Sequence, residues 1–385
     1  MTAARICRVR ADERGFSLVE MLISTAIMLT VTGAIFSLMN PAQGSAQAQP
    51  EVADIQQRMR VANETLFKEL VIAGAGPYQG AVSGSLINYF APILPRRTGA
   101  TAPDTKTTVR TDAITLTYVP NSYSQTTISA DMPNVSAELK VNQPNNCPSA
   151  TLCGFVEGME VVIFDPTTGS FDAFTVTQVQ APAGHLQHRG QQFSRAYDVG
   201  SLITQMESNT YFLDRSAKKL MRDDGAGNPA SIVPLVDNVV DLRFDYFGDI
   251  NPPKVPKPPT GVSNCLYAAD GTYDSARLPV LTADEGSLVR LTEAMLKDGP
   301  WCGGGTNEFD ADLLRVRKVR VMLRVQAANP ALRGKDPGGA AVGSCNAAPY
   351  AGLFMCPGTA PGGERFIPDY TVTFDVTPRN LNLTR

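Results

Sequence analysis

Gly15-Phe16-Ser17-Leu18-Val19-Glu20 opens the stretch that decides this fold, because it leads into an apolar run that ends only near Met39. From Phe16 to Met39 there are 24 residues, and Glu20 is the only ionisable side chain among them. A helix of that length rises far enough to span a hydrocarbon core of about 30 Å. A carboxylate inside such a span costs about 2.5 to 3.5 kcal/mol on insertion scales, so Glu20 calls for a partner or a use. Ahead of the run, Arg5, Arg8, Arg10 and Arg14 outnumber Asp12 and Glu13. By the positive-inside rule this leader stays in the cytoplasm and the remainder of the chain is exported.

The glycine–phenylalanine junction with an acid shortly after it resembles the processing site of type IV prepilins. The resemblance implies that a prepilin peptidase and methyltransferase cuts between Gly15 and Phe16 and methylates the new amine. It also implies that Glu20 guides the subunit into a filament, pairing with the Phe16 amine of a neighbour. The partners are then the peptidase, other pilins or pseudopilins met through the amino-terminal helix, and the inner membrane before assembly. Two plainer readings compete. A secretory signal peptide could be cut after Ala46-Gln47-Ala48, leaving Gln49 first, but its apolar region would hold only about 7 to 15 residues. A plain membrane anchor gives Glu20 no role.

Loss of the 15 leader residues, four basic and two acidic, would leave 370 residues and take the net charge from minus three to minus five. Neither value favours a polyanion as the main partner. Cys7 would leave with the leader. The even set that remains, Cys147, Cys153, Cys265, Cys302, Cys345 and Cys356, favours disulfides in an exported protein. Their clustering suggests nearest-neighbour pairs: Cys147 with Cys153, Cys265 with Cys302, Cys345 with Cys356.

Four regions follow: a cleaved leader at 1–15, a transmembrane or filament-core helix at 16–39, a kink and amphipathic helix at 40–76, and a β-rich exported domain at 77–385 with a possible subdivision near 250. Pro41 and Pro50 bracket a stretch where the helix should loosen. Val52, Ile55, Met59, Ala62, Leu66, Leu70 and Ala73 then recur at helical steps, and Gly74, Gly76 and Pro77 end the pattern. Beyond residue 80 the period becomes two. Ile114, Leu116 and Tyr118 alternate with threonines; 240–246, 319–325 and 370–376 alternate in the same way, as strands with one buried and one wet face do. Further strands are expected at 159–164, 171–179 and 210–214, with a hairpin over 219–235 turning at Asp224-Gly225. Residues 91–110, 120–150, 249–310 and 327–368 are rich in Pro, Gly, Asn and Ser and read as long insertions. The fold class is α+β: a long amino-terminal helix, half membrane-spanning and half amphipathic, packed on an antiparallel sheet domain with disulfide-bearing loops.

The segments 211–222 and 235–246, the strand 319–325 and the ending Pro378-Arg379-Asn380-Leu381 are similar to PilW-type minor pilins and J-type pseudopilins. That likeness implies a minor pilin of the pilus tip or initiation complex. A type II secretion pseudopilin and a tip adhesin or DNA-binding minor pilin are the alternatives. The location implied is the inner membrane with a periplasmic domain, then an extracellular pilus or periplasmic pseudopilus.

Little else in the sequence points to chemistry. His185 and His188 form H-x-x-H without a third ligand, and read as part of a solvated loop. Gly225-Ala226-Gly227 lacks the strand–helix context of a phosphate loop. Asp223, Asp224 and Asn228 miss the calcium-loop spacing. Arg315, Arg317, Lys318, Arg320 and Arg324 lack interleaved aromatics and read as a strand's wet face, so nucleic acid is disfavoured. No catalytic residue, metal or cofactor is assigned, and the chain is not expected to be an enzyme.

Overall fold

The computed structural model describes residues 15–75, 91–95, 112–120, 124–143, 152–165, 171–193, 195–224, 232–254, 261, 266–273, 280–296, 311–333, 367 and 369–382. They divide between two compact units. One holds the amino-terminal part of α1 to Ala53, with residues 329–333 and Ile367; the other holds the residues from Asp54 to Ala328 and from Asp369 onward. Helix α1 runs over Leu18–Ile72. An interior proline removes one helical hydrogen bond, yet neither Pro41 nor Pro50 ends this helix, so the loosening expected there is not a break in secondary structure.

In the second unit, Ile55, Ala62, Leu66, Leu70 and Ala73 are fully buried, and Met59 is half-buried. Gln56, Gln57, Arg60, Glu64 and Lys68 take the exposed side, where Arg60 pairs with Glu64 at 2.7 Å one turn on. Gly74 ends the helix in the left-handed region (φ 74°), a conformation that suits a residue without a Cβ. Its N–H donates to Thr117 O at 3.0 Å, and the Val119 N–H returns to Ala75 O at 2.7 Å. The last helical carbonyls are answered from the other end of the chain. Asn380 Nδ2 donates to Ile72 O and Ala73 O at 3.3 and 3.2 Å, and the Arg379 N–H to Val71 O.

Sixteen strands are described. The first eight are β1 (Ile93–Pro95), β2 (Ala113–Tyr118), β3 (Gln125–Thr127), β4 (Leu139–Lys140), β5 (Glu160–Phe164), β6 (Phe171–Thr175), β7 (Gln178–Gln180) and β8 (His185–Gln187). The next are β9 (Leu202–Gln205), β10 (Glu207–Asp214), β11 (Lys219–Asp223), β12 (Val233–Asp237), β13 (Val239–Asp249), β14 (Leu288–Leu291), β15 (Val316–Val325) and β16 (Tyr370–Val376). They form four sheets, ordered β1-β2-β10-β11-β12, β14-β13-β15-β16, β3-β9-β5-β6 and β4-β8-β7. All pairings between these strands are antiparallel. Strand β13 ends at Asp249 and pairs with β14 and β15, so one sheet draws strands from both sides of residue 250.

Several elements differ from the sequence pattern. The threonines of β2 do not face water: Thr115 and Thr117 are buried, and Thr115 Oγ1 lies 2.8 Å from Thr210 Oγ1 of β10. The strand is central and covered on both faces, and hydroxyl pairing satisfies groups that would otherwise be buried unbonded. The run expected as one strand over 171–179 splits into β6 and β7, which belong to different sheets. Strands β3 and β4 lie inside the stretch 120–150 and β14 inside 249–310, both read as insertions. At the open edge of β6, the Gln191 side chain stands in for a further strand, accepting from the Thr175 N–H and donating to Thr175 O, each at 2.9 Å.

One apolar core joins the small sheet to its four-stranded neighbour through Leu139, Leu186, Val161, Ile163, Phe174 and Ile203. Cys153 belongs to this core, fully buried, and is disulfide-bonded. The other cysteines, Cys147, Cys265, Cys302, Cys345 and Cys356, lie outside the described residues, and with them the expected pairing.

Candidate functional site: the amino-terminal helix

Phe16 is 82% exposed, and the first helical hydrogen bond runs from the Met21 N–H to Ser17 O at 3.0 Å. Glu20 therefore lies in the first turn of α1. The unbonded N–H groups and the dipole of a helix start favour an acid there by about 0.3 to 1 kcal/mol. That is too little to offset the 2.5 to 3.5 kcal/mol estimated for a carboxylate within a membrane span. Glu20 is exposed, and among the described residues nothing is bonded to it.

The span Leu18–Ser37 has a mean hydropathy of 1.9, and none of it is buried within the protein. Its large apolar side chains, from Leu18 through Met28 to Phe36, are all more than half exposed. Three of its hydroxyls bond back to the helix itself. Thr25 Oγ1 donates to Met21 O at 2.9 Å, Thr30 Oγ1 to Ile27 O at 2.8 Å, and Ser37 Oγ to Ala34 O at 2.8 Å. Such back-bonding makes hydroxyls tolerable where water is absent.

Gly15 is not demanded by the fold. A Cβ built there meets no atom within 4 Å, and the residue is not in the left-handed region. Residues 1–14, including the basic leader and Cys7, lie outside the described residues.

The remaining sequence candidates are absorbed by the exported part. Each cation of the basic run has a partner. Arg315 is 1% exposed; its Nε meets Asp312 Oδ1 at 2.8 Å and its Nη1 donates to Ile250 O at 3.0 Å. Arg317 donates to Leu314 O and Val316 O. Lys318 and Arg320 sit between Glu285 and Asp375 at 2.6 to 3.1 Å and lie over the Phe247 ring at 4.2 and 4.9 Å. Arg324 reaches Asp369 at 4.0 Å. Hydrogen bonds from Arg320 and Lys318 hold the Asp375 carboxyl below its usual range, and Lys318 does the same for Glu285. A phosphate binding here would have to displace acids already in place.

The solvated loop expected around His188 is instead part of the core. His188 is 3% exposed and its ring stacks on Phe193 at 4.1 Å. Nε2 lies 2.7 Å from Ala137 O and Nδ1 3.0 Å from Gln191 O, so carbonyls occupy both ring nitrogens. His185, on β8, faces Glu138 at 3.0 Å.

Asp223 and Asp224 bear on Glu160, which sequence reasoning passed over. Both Glu160 carboxyl oxygens are buried without a hydrogen-bond partner. Burial first, then Asp224 and Asp223, push this acid up to about 8, so it carries a proton at neutral pH. A lone acid opening an apolar strand, Glu160-Val161-Val162-Ile163-Phe164, was the available signal. Asn228 lies outside the described residues.

Residues 10–36 match the family model described as the prokaryotic N-terminal methylation motif, the type IV prepilin-like signal. No curated protein and no solved structure matches the chain. The motif is that of pilin-like and pseudopilin-like processed proteins rather than of an enzyme family, and it accords with membrane anchoring and an exported domain.

Proposed function

We propose that this chain is a minor type IV pilin, cut between Gly15 and Phe16 and built into a filament through the first half of α1. The observation that carries the proposal is an apolar span with no residue buried, interrupted by one carboxylate, directly after a glycine the fold does not need. A free Phe16 amine on an adjacent subunit supplies the charge that Glu20 lacks, and in a low dielectric that attraction is strong enough to set axial register between helices. Once the helix leaves lipid for a bundle of similar helices, its apolar side chains are buried again. Gly33, whose Cβ position is open, provides a place for close helix approach.

A minor rather than a major subunit is favoured by size. An exported part of some 300 residues with long insertions would crowd a closely packed shaft, whereas the tip or initiation complex has room. Nearest-neighbour disulfides, with Cys147 joined to Cys153, would restrain those insertions. Replacing Glu20 tests assembly: Glu20→Ala should still insert into the membrane, while its recovery in sheared extracellular filaments falls at least tenfold. Undiminished recovery would contradict the proposed role of Glu20. Loss of a secreted enzyme from the medium, with pili unaffected, would point to a type II secretion pseudopilin instead.

A further inference from the structure

The sequence after β13 runs Asn251-Pro252-Pro253-Lys254-Val255-Pro256-Lys257-Pro258-Pro259. Prolines 252 and 253 have no N–H and a fixed φ, so residues 252–254 cannot take a full place in a sheet. Their carbonyls still require donors wherever water is excluded. Two tyrosines supply them. Tyr267 Oη donates to Lys254 O at 2.7 Å, and Tyr273 Oη donates to Pro253 O at 3.3 Å. Tyr267 is 8% exposed, and Pro253 is buried.

A small hairpin holds the tyrosines ready for this. They oppose each other as an antiparallel bridge, with ring centroids 5.3 Å apart and planes at 65°. The turn between them is closed by the Ala268 N–H to Thr272 O and the Gly271 N–H to Ala268 O, both at 2.9 Å. Asp270 Oδ1 accepts from the Thr272 N–H at 2.8 Å. Gly271 takes the left-handed conformation that the turn needs (φ 81°). Aromatic side chains are the usual readers of proline-rich peptide, and here two tyrosine hydroxyls donate to successive carbonyls of a Pro-Pro-Lys run.

We propose that Tyr267 and Tyr273 form a polyproline-binding site, occupied in cis by the chain's own Pro252-Pro253-Lys254. Because the occupant is tethered, it competes with any free peptide at high local concentration. The site therefore reads as closed until the tether's own prolines are removed. The same site would accept this segment from a second copy of the chain.

The full-length protein in detergent micelles can test this with a dye-labelled nonapeptide of sequence 251–259, followed by fluorescence polarisation. Pro252→Ser with Pro253→Ser in the protein should open the site and bind the peptide at least about tenfold more tightly than the unaltered chain. Adding Tyr267→Phe and Tyr273→Phe to the opened variant should weaken binding again by about tenfold, since two hydrogen bonds are lost. A peptide with serine at the first two proline positions should not compete. Equal binding by opened and unaltered protein, or by the variants with and without the hydroxyls, overturns the proposal. A second measurement needs no opened variant: Tyr267→Phe with Tyr273→Phe alone should speed tryptic cleavage after Lys254 about fivefold or more. An unchanged cleavage rate would also overturn it.

Discussion

Two glutamates on one helix have opposite fates. Glu69, near the end of α1, is partly buried; it accepts a hydrogen bond from Tyr211 and lies 3.4 Å from Asn209 Nδ2. Burial raises its pKa, while Tyr211, Asn209 and Arg222 act to lower it again. Glu20, in the first turn, is surrounded by exposed apolar side chains and has no bonded partner among the described residues. The first acid is answered inside its own chain. The second has no such answer among the described residues, and the proposed assembly supplies one. The same division separates the apolar side chains, because Leu66 is fully buried and Leu22 is 60% exposed.

Substitutions in the internally satisfied region should have the largest effects on stability. Arg315→Ala leaves Asp312 buried without its cation and should lower unfolding stability by about 3 to 5 kcal/mol in denaturant titration. Leu66→Ala should cost about 2 to 5 kcal/mol by the same measurement, whereas Leu22→Ala should change it by less than about 0.5 kcal/mol. A large loss from Leu22→Ala would mean that the apolar half has an internal partner after all.

Glu160 gives a smaller, pH-dependent effect. Its folded pKa is raised from 4.5 to about 8, so the folded state binds the proton more tightly than the unfolded state does. Stability from this group is therefore fully present below about pH 4.5 and is lost as pH rises through 8. Melting curves at pH 5 and pH 9 should show Glu160→Gln gaining several degrees over the unaltered protein at the higher pH and little at the lower. Glu20→Ala, finally, should leave the unfolding midpoint of the exported domain unchanged, even though it impairs assembly. A destabilised domain in that variant would erase the distinction between the two acids.

How far these contrasts could be read in advance depended on length and on coverage. The helix face Ile55, Ala62, Leu66, Leu70 was legible because its period persists for several turns. Strands β13, β15 and β16 were legible because their alternation runs for seven residues or more. Strands β3 and β8 were not, since Gln125-Thr126-Thr127 and His185-Leu186-Gln187 are too short and polar to show a period. The threonines of β2 misled because alternation reveals polarity, not whether a second layer covers the polar face. Arg315 looked like one more charge on a wet strand; Asp312 three residues earlier hinted otherwise, but its burial depends on Asp249 and Ile250, more than 60 residues away. At the amino terminus the apolar span and its single carboxylate were legible, because both are set by composition within one segment.

Mass spectrometry of the amino-terminal peptide from protein purified out of its native membrane or filament reads the processing itself. A polypeptide beginning at Phe16 with a methylated amine is the predicted result. One that retains residues 1–15, or that begins at Gln49, would contradict it.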